Sequence, residues 1–72
     1  MMLYINWKKT MENVAAALEV AQIPKSIFAD RIGVSPQCLS QYLACSTRPP
    51  AEVFMRMQKE LEFQIVWGMK RG

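Results

Sequence analysis

The pentapeptide Ile32-Gly33-Val34-Ser35-Pro36 leaves the backbone little choice. Upstream of it, Phe28, Ala29 and Ile32 fall on one face of a helix by the three-and-four spacing, and downstream Leu39, Tyr42 and Leu43 do the same on a second helix. A chain that leaves one helix and enters another within a few residues needs a position tolerant of positive φ, which Gly33 supplies without steric cost. Ser35 carries a side-chain oxygen that accepts from the orphan amides of a new helix, and Pro36 has the φ favoured at the first helical position. Two helices joined by a tight turn are therefore expected, with the second beginning at Ser35. Val34 packs against the pair, and the small Ala29 lies where the helices cross closely.

The flanks are organised simply, with neither repeats nor low-complexity tracts. Leu3, Ile5 and Trp7 alternate with Tyr4 and Asn6, which suggests a short strand. Thr10 is a candidate cap for a first helix whose apolar face carries Met11, Val14, Leu18 and Ala21, and Pro24 separates that helix from the next. After the central pair, the polar turn Ser46-Thr47-Arg48-Pro49-Pro50 leads into a helix over Pro49 to Leu61, with Phe54, Met57 and Leu61 facing the core. On its outer side, Arg56 has Glu52 and Glu60 at the i,i+4 spacing, which reads as a solvated face. Phe63, Ile65 and Trp67 then alternate with Glu62, Gln64 and Val66, so a strand over 62–67 is expected. A lone strand is not stable; this one pairs with the Leu3 to Trp7 strand, with its copy in a second subunit, or with both.

Seventy-two residues make one domain, too short for a large enclosed active site and marginal for a stable core unless it is compact or oligomeric. The hydrophobic fraction of 51% includes Met1, Met2, Met11, Met55, Met57 and Met69, adaptable apolar surface suited to a subunit contact, with Met11 and Met57 expected in the core. A net charge of +3 is compatible with a polyanionic partner. The chain holds no histidine, no phosphate-cradling glycine loop and no clustered acidic pair, and Cys38 has no evident base, so an enzyme is not expected. Seven helical positions would put Cys38 and Cys45 about 10 Å apart, too far for a disulfide, and without histidine the usual zinc spacings do not arise. No apolar run is long enough to span a bilayer and no signal-peptide pattern opens the chain, which points to a reduced, cytoplasmic protein with no cofactor, metal, membrane or small-molecule ligand.

The pattern Phe28-Ala29, Ile32-Gly33-Val34-Ser35 and Leu39-Ser40 resembles the helix-turn-helix family of phage repressors and Cro proteins, over roughly Val14 to Leu61. The resemblance implies a mainly α fold: a compact four-helix, lambda repressor-like domain spanning 1–72. Its helix-turn-helix would lie at 25–43, with short N- and C-terminal β-strands. It implies a sequence-specific, double-stranded-DNA-binding transcriptional regulator, a Cro-like repressor that binds a two-fold operator as a homodimer. An antitoxin or other protein-interaction module, and a recombination-accessory or architectural DNA binder, are the alternatives. A helix in the major groove presents its first turn and the residues one turn on, here Pro36, Gln37, Ser40 and Gln41. The family reads bases from the positions of Gln37 and Gln41, and glutamine pairs bidentately with adenine. Phosphate contacts are expected from Lys25 and Ser26 at a helix start, from Ser35, from the loop Ser46-Thr47-Arg48 and from Arg31. Lys8-Lys9 read first as a solubilising pair, with added charge for DNA as the alternative, and Lys70-Arg71 read first as a solvated tail, with a phosphate contact as the alternative. Two departures stand out. Lys25 occupies a position where the family often has glutamine, and no charged residue lies between Ser35 and Thr47, which removes an arginine-to-guanine contact from the second helix. Some Cro proteins dimerise through a C-terminal strand, which assigns Phe63, Ile65 and Trp67 to the dimer interface; closure of a monomer core by an intrachain ribbon is the competing arrangement.

Overall fold

Asn6 decides where the first helix begins. Its extended backbone (φ −78°, ψ 92°) lets Oδ1 accept from the Lys9 amide at 3.1 Å. In the computed structural model, which describes residues 2–70, strand β1 is Met2–Ile5 and helix α1 is Trp7–Ala21. The alternation through Trp7 thus stops earlier than the sequence suggested, because Asn6 serves as a cap and turns Trp7 into the first helical residue. Thr10 is buried inside α1 rather than capping it, and Ala21, expected on the apolar face, is exposed at the helix end.

Helices α2 (Lys25–Ile32), α3 (Pro36–Leu43) and α4 (Ala51–Glu60) follow, then strand β2 (Trp67–Lys70). The described residues thus form a mainly helical domain of four helices with a short strand at either end. Both prolines before Ala51 stay outside α4: Pro50 supplies the carbonyl for the first helical bond, and Leu61 ends the helix in extended conformation. The core is one cluster. Met11, Val14 and Leu18 of α1 meet Phe28, Ala29 and Ile32 of α2, Leu39 and Tyr42 of α3, and Phe54, Met57 and Leu61. Trp7 and Phe63 approach Phe54 edge-on from two sides, with ring centroids 5.1 and 5.9 Å away.

Three helices end alike. Gln22, Gly33 and Cys45 each adopt the left-handed conformation (φ 57°, 78° and 60°). After α2, the Val34 and Gly33 amides donate to the carbonyls of Ala29 and Asp30; the same two-bond closure joins Ile23 and Gln22 to Leu18 and Glu19, and Ser46 and Cys45 to Gln41 and Tyr42.

The C-terminal segment corrects the strand expected over 62–67. Residues 62–66 lie outside any strand, and β2 starts only at Trp67. The segment runs antiparallel along α1 and is held by side chains. Thr10 Oγ1 accepts from the Val66 amide at 3.0 Å and donates a long bond to the Val66 carbonyl at 3.5 Å, while Asn13 Nδ2 donates to the Gln64 carbonyl at 3.0 Å. Alternation in this stretch therefore reflects packing of Phe63 and Ile65 on a helical core. Beyond it, β2 pairs antiparallel with β1 of the same chain in the register Met2↔Lys70, Leu3↔Met69, Tyr4↔Gly68 and Ile5↔Trp67. The Asn6 amide continues the ladder to the Val66 carbonyl at 2.7 Å.

Candidate nucleic-acid interface

Helix α3 is built to show one face. Ser35 Oγ accepts from the Cys38 amide at 3.1 Å, Pro36 fills the first turn, and the helix packs on α1 and α2 through Leu39 and Tyr42. Pro36, Gln37, Ser40 and Gln41 are then left together on the exposed side, and Cys38 and Leu43 are half-buried at its borders. Ala29 is fully buried and Gly33 is closely backed: a β-carbon at Gly33 would stand 3.1 Å from a guanidinium nitrogen of Arg56. That arginine is held by Glu52 at 3.0 Å, so α4 braces the turn from behind.

The candidate phosphate-contacting residues lie on α1 and α2, which pack against α3, and in the loop that follows it. Lys25 and Ser26 are exposed at the start of α2, where the Pro24 carbonyl accepts from the Ile27 and Phe28 amides. Arg31 is exposed in the last turn of the same helix, a position favourable to a cation. Ser46, Thr47 and Arg48 are exposed in the loop between α3 and α4. Lys8 and Lys9 lie in the solvent-facing first turn of α1.

The ribbon changes the assignment of the C-terminal residues. Phe63 and Ile65 are half-buried against their own core, whereas Trp67 is 57% exposed. Cross-strand partners share a face, so Leu3, Ile5, Trp67 and Met69 lie on one side of the ribbon, with Leu3 67% and Met69 62% exposed. Lys70 is exposed, as expected, but its backbone is in strand β2 opposite Met2 rather than in a tail; Met1 and Arg71 lie outside the described residues. Together with Met2, Leu3, Tyr4 and Arg48, Lys70 lines an open depression of about 430 Å³. Sequence reasoning missed Tyr4 there, since only the strand pairing brings it beside the α3–α4 loop.

The Tyr42 phenol is raised above its ordinary value by its side-chain hydrogen bond with Cys38, then by burial, then by the nearby Cys38 charge. Both Cys38 and the exposed Cys45 are free thiols. Among the described residues, no three of His, Cys, Asp and Glu gather closely enough to hold a metal ion, and no helix is long and apolar enough to cross a membrane. No protein-family model, curated protein or solved structure matches this chain.

Proposed function

We propose that this chain is a sequence-specific DNA-binding transcriptional regulator with a lambda repressor-like helix-turn-helix, in which α3 enters the major groove. The observation that carries the reading is the uncovered polar face of α3, Pro36, Gln37, Ser40 and Gln41, on a helix whose opposite side is locked into the core. Two amide side chains one turn apart, Gln37 and Gln41, offer donor and acceptor together, the pattern that recognises adenine. Lys25 with the open α2 amides precedes them in the chain, and Arg48 with Ser46 and Thr47 follows them, supplying phosphate contacts that set the register. With no charged residue from Ser35 to Thr47, specificity rests on glutamine pairing, thymine-methyl contact and DNA shape.

Action as a Cro-like repressor on a two-fold operator is part of the same proposal. The exposed apolar side of the ribbon supports a homodimer. Trp67 is retained in that interface, and Leu3 and Met69 join it in place of Phe63 and Ile65. Selection from a random duplex library at moderate salt tests the reading: enrichment of an inverted repeat with half-sites about 10 base pairs apart supports it. Absence of any enrichment, with equal salt-sensitive binding to all duplexes, overturns it in favour of an accessory DNA binder.

A further inference from the structure

We infer that the depression between the ribbon and the α3–α4 loop is a phosphodiester-binding site that extends the DNA contact beyond the two-helix unit; the inference rests on the DNA-binding reading above. Arg48 and Lys70 come from positions far apart in the chain, yet both line this one depression, and none of the other lining residues, Met2, Leu3 and Tyr4, is acidic. Neither cation has a carboxylate within salt-bridge distance among the described residues, whereas Arg56 is neutralised by Glu52. Two cations lining one depression, with no carboxylate on either among the described residues, attract an anion.

The wall that carries Lys70 is held in register. A β-carbon at Gly68 would overlap the Tyr4 ring, so glycine there lets Tyr4 lie across the ribbon, while the Met2↔Lys70 pairing fixes the lysine beside it. On the other wall, Arg48 directly follows the exposed residues Ser46 and Thr47 in the loop that leaves α3. The depression is open, so an extended polyanion can lie along it and continue out. A phosphodiester backbone meets that requirement, with a chain passing from the loop hydroxyls across the two cations. This site contributes affinity and orientation and no base discrimination.

The test uses the full chain and its selected duplex, with affinity measured over a salt series. Lys70→Gln and Arg48→Gln are each expected to weaken operator and scrambled duplex equally, by about threefold to tenfold, and to lower the salt slope by about 1. Lys59→Gln, a cation outside the depression, is expected to leave the slope unchanged. A Lys70→Gln variant that binds like the wild type overturns the inference, as does one that instead alters the sedimentation of the free protein, which would make the depression a contact between copies. A second measurement separates this inference from the reading beneath it. Titrating a 12-base-pair duplex into the labelled wild type should move the amide resonances of Met2, Leu3, Tyr4 and Lys70 together with those of Gln37 and Gln41. Movement at the ribbon alone keeps the phosphate site and sinks base reading by α3. Movement at α3 alone, or at neither, overturns the site.

Discussion

Gln37 and Gln41 stand on a helix face whose fold-bearing side is elsewhere, so their replacement separates recognition from folding. Gln37→Ala is expected to leave the melting temperature unchanged and to cost about 1–3 kcal/mol of discrimination against operator variants, read by competition binding. The left-handed helix ends make a different pair of experiments. Gly33→Ala adds strain at positive φ and a contact with Arg56, and should destabilise by about 1–2 kcal/mol in urea denaturation. Cys45→Gly should do the reverse, stabilising by up to about 1 kcal/mol, since Cys45 holds the same conformation with a β-carbon. Gly33 was legible in the sequence because glycine announces such a turn, whereas nothing about Gln22 or Cys45 as residue types does so; the same backbone closure bonds accompany their conformation. Tyr42 adds a pH dependence. Its folded-state pKa lies above the unfolded value of about 10, so its contribution to stability is complete below that pH and is lost as pH rises through the folded value. Above pH 10, thermal stability of the wild type should therefore fall more steeply than that of Tyr42→Phe.

The stretch from Leu61 to Val66 shows how a period-two pattern arises without a strand partner. Phe63 and Ile65 turn inward as in a strand, but their backbone is held by Thr10 and Asn13 on a helix, an arrangement that local alternation does not reveal. Helices α2 and α3 were legible because every local signal agreed, from the apolar spacing to Gly33, Ser35 and Pro36. The end of the N-terminal strand was misjudged by two residues because Asn6 is compatible with a strand and with a helix cap, and its bond to the backbone amide of Lys9 leaves no mark in the sequence. Of the candidate site, the α3 face was readable from periodicity; the meeting of Arg48 with Lys70 was not, since it depends on a pairing between the two ends of the described chain. Thr10→Val tests the latch. It keeps the shape but removes the acceptor of the half-buried Val66 amide, and should cost about 1 kcal/mol. Faster hydrogen exchange at Val66 and Asn6 should accompany that loss, with α2 and α3 unchanged.

For the whole molecule, the two sides of the ribbon carry different chemistry: Leu3, Trp67 and Met69 toward one side, and Lys70 with Tyr4 toward the other. A four-residue ribbon is marginal in isolation, so cover over its apolar side is expected to stabilise it. If the proposed homodimer forms through this side, Trp67→Lys should shift sedimentation toward the monomer and lower affinity for the selected duplex more at low protein concentration than at high, while leaving far-ultraviolet helicity intact. A dimer that sediments unchanged moves the contact off the ribbon. The β1–β2 pairing also sets an order of events during synthesis. Met2–Ile5 emerges from the ribosome before any of the helices, yet its partner Trp67–Lys70 is made only after all of them. The helical core gains its local contacts first, and the widest loop in the chain closes last. Between the synthesis of Met2–Ile5 and that of Trp67–Lys70 this apolar strand is therefore unpaired, a sticky edge that a chaperone or a neighbouring nascent chain can reach before its own partner exists.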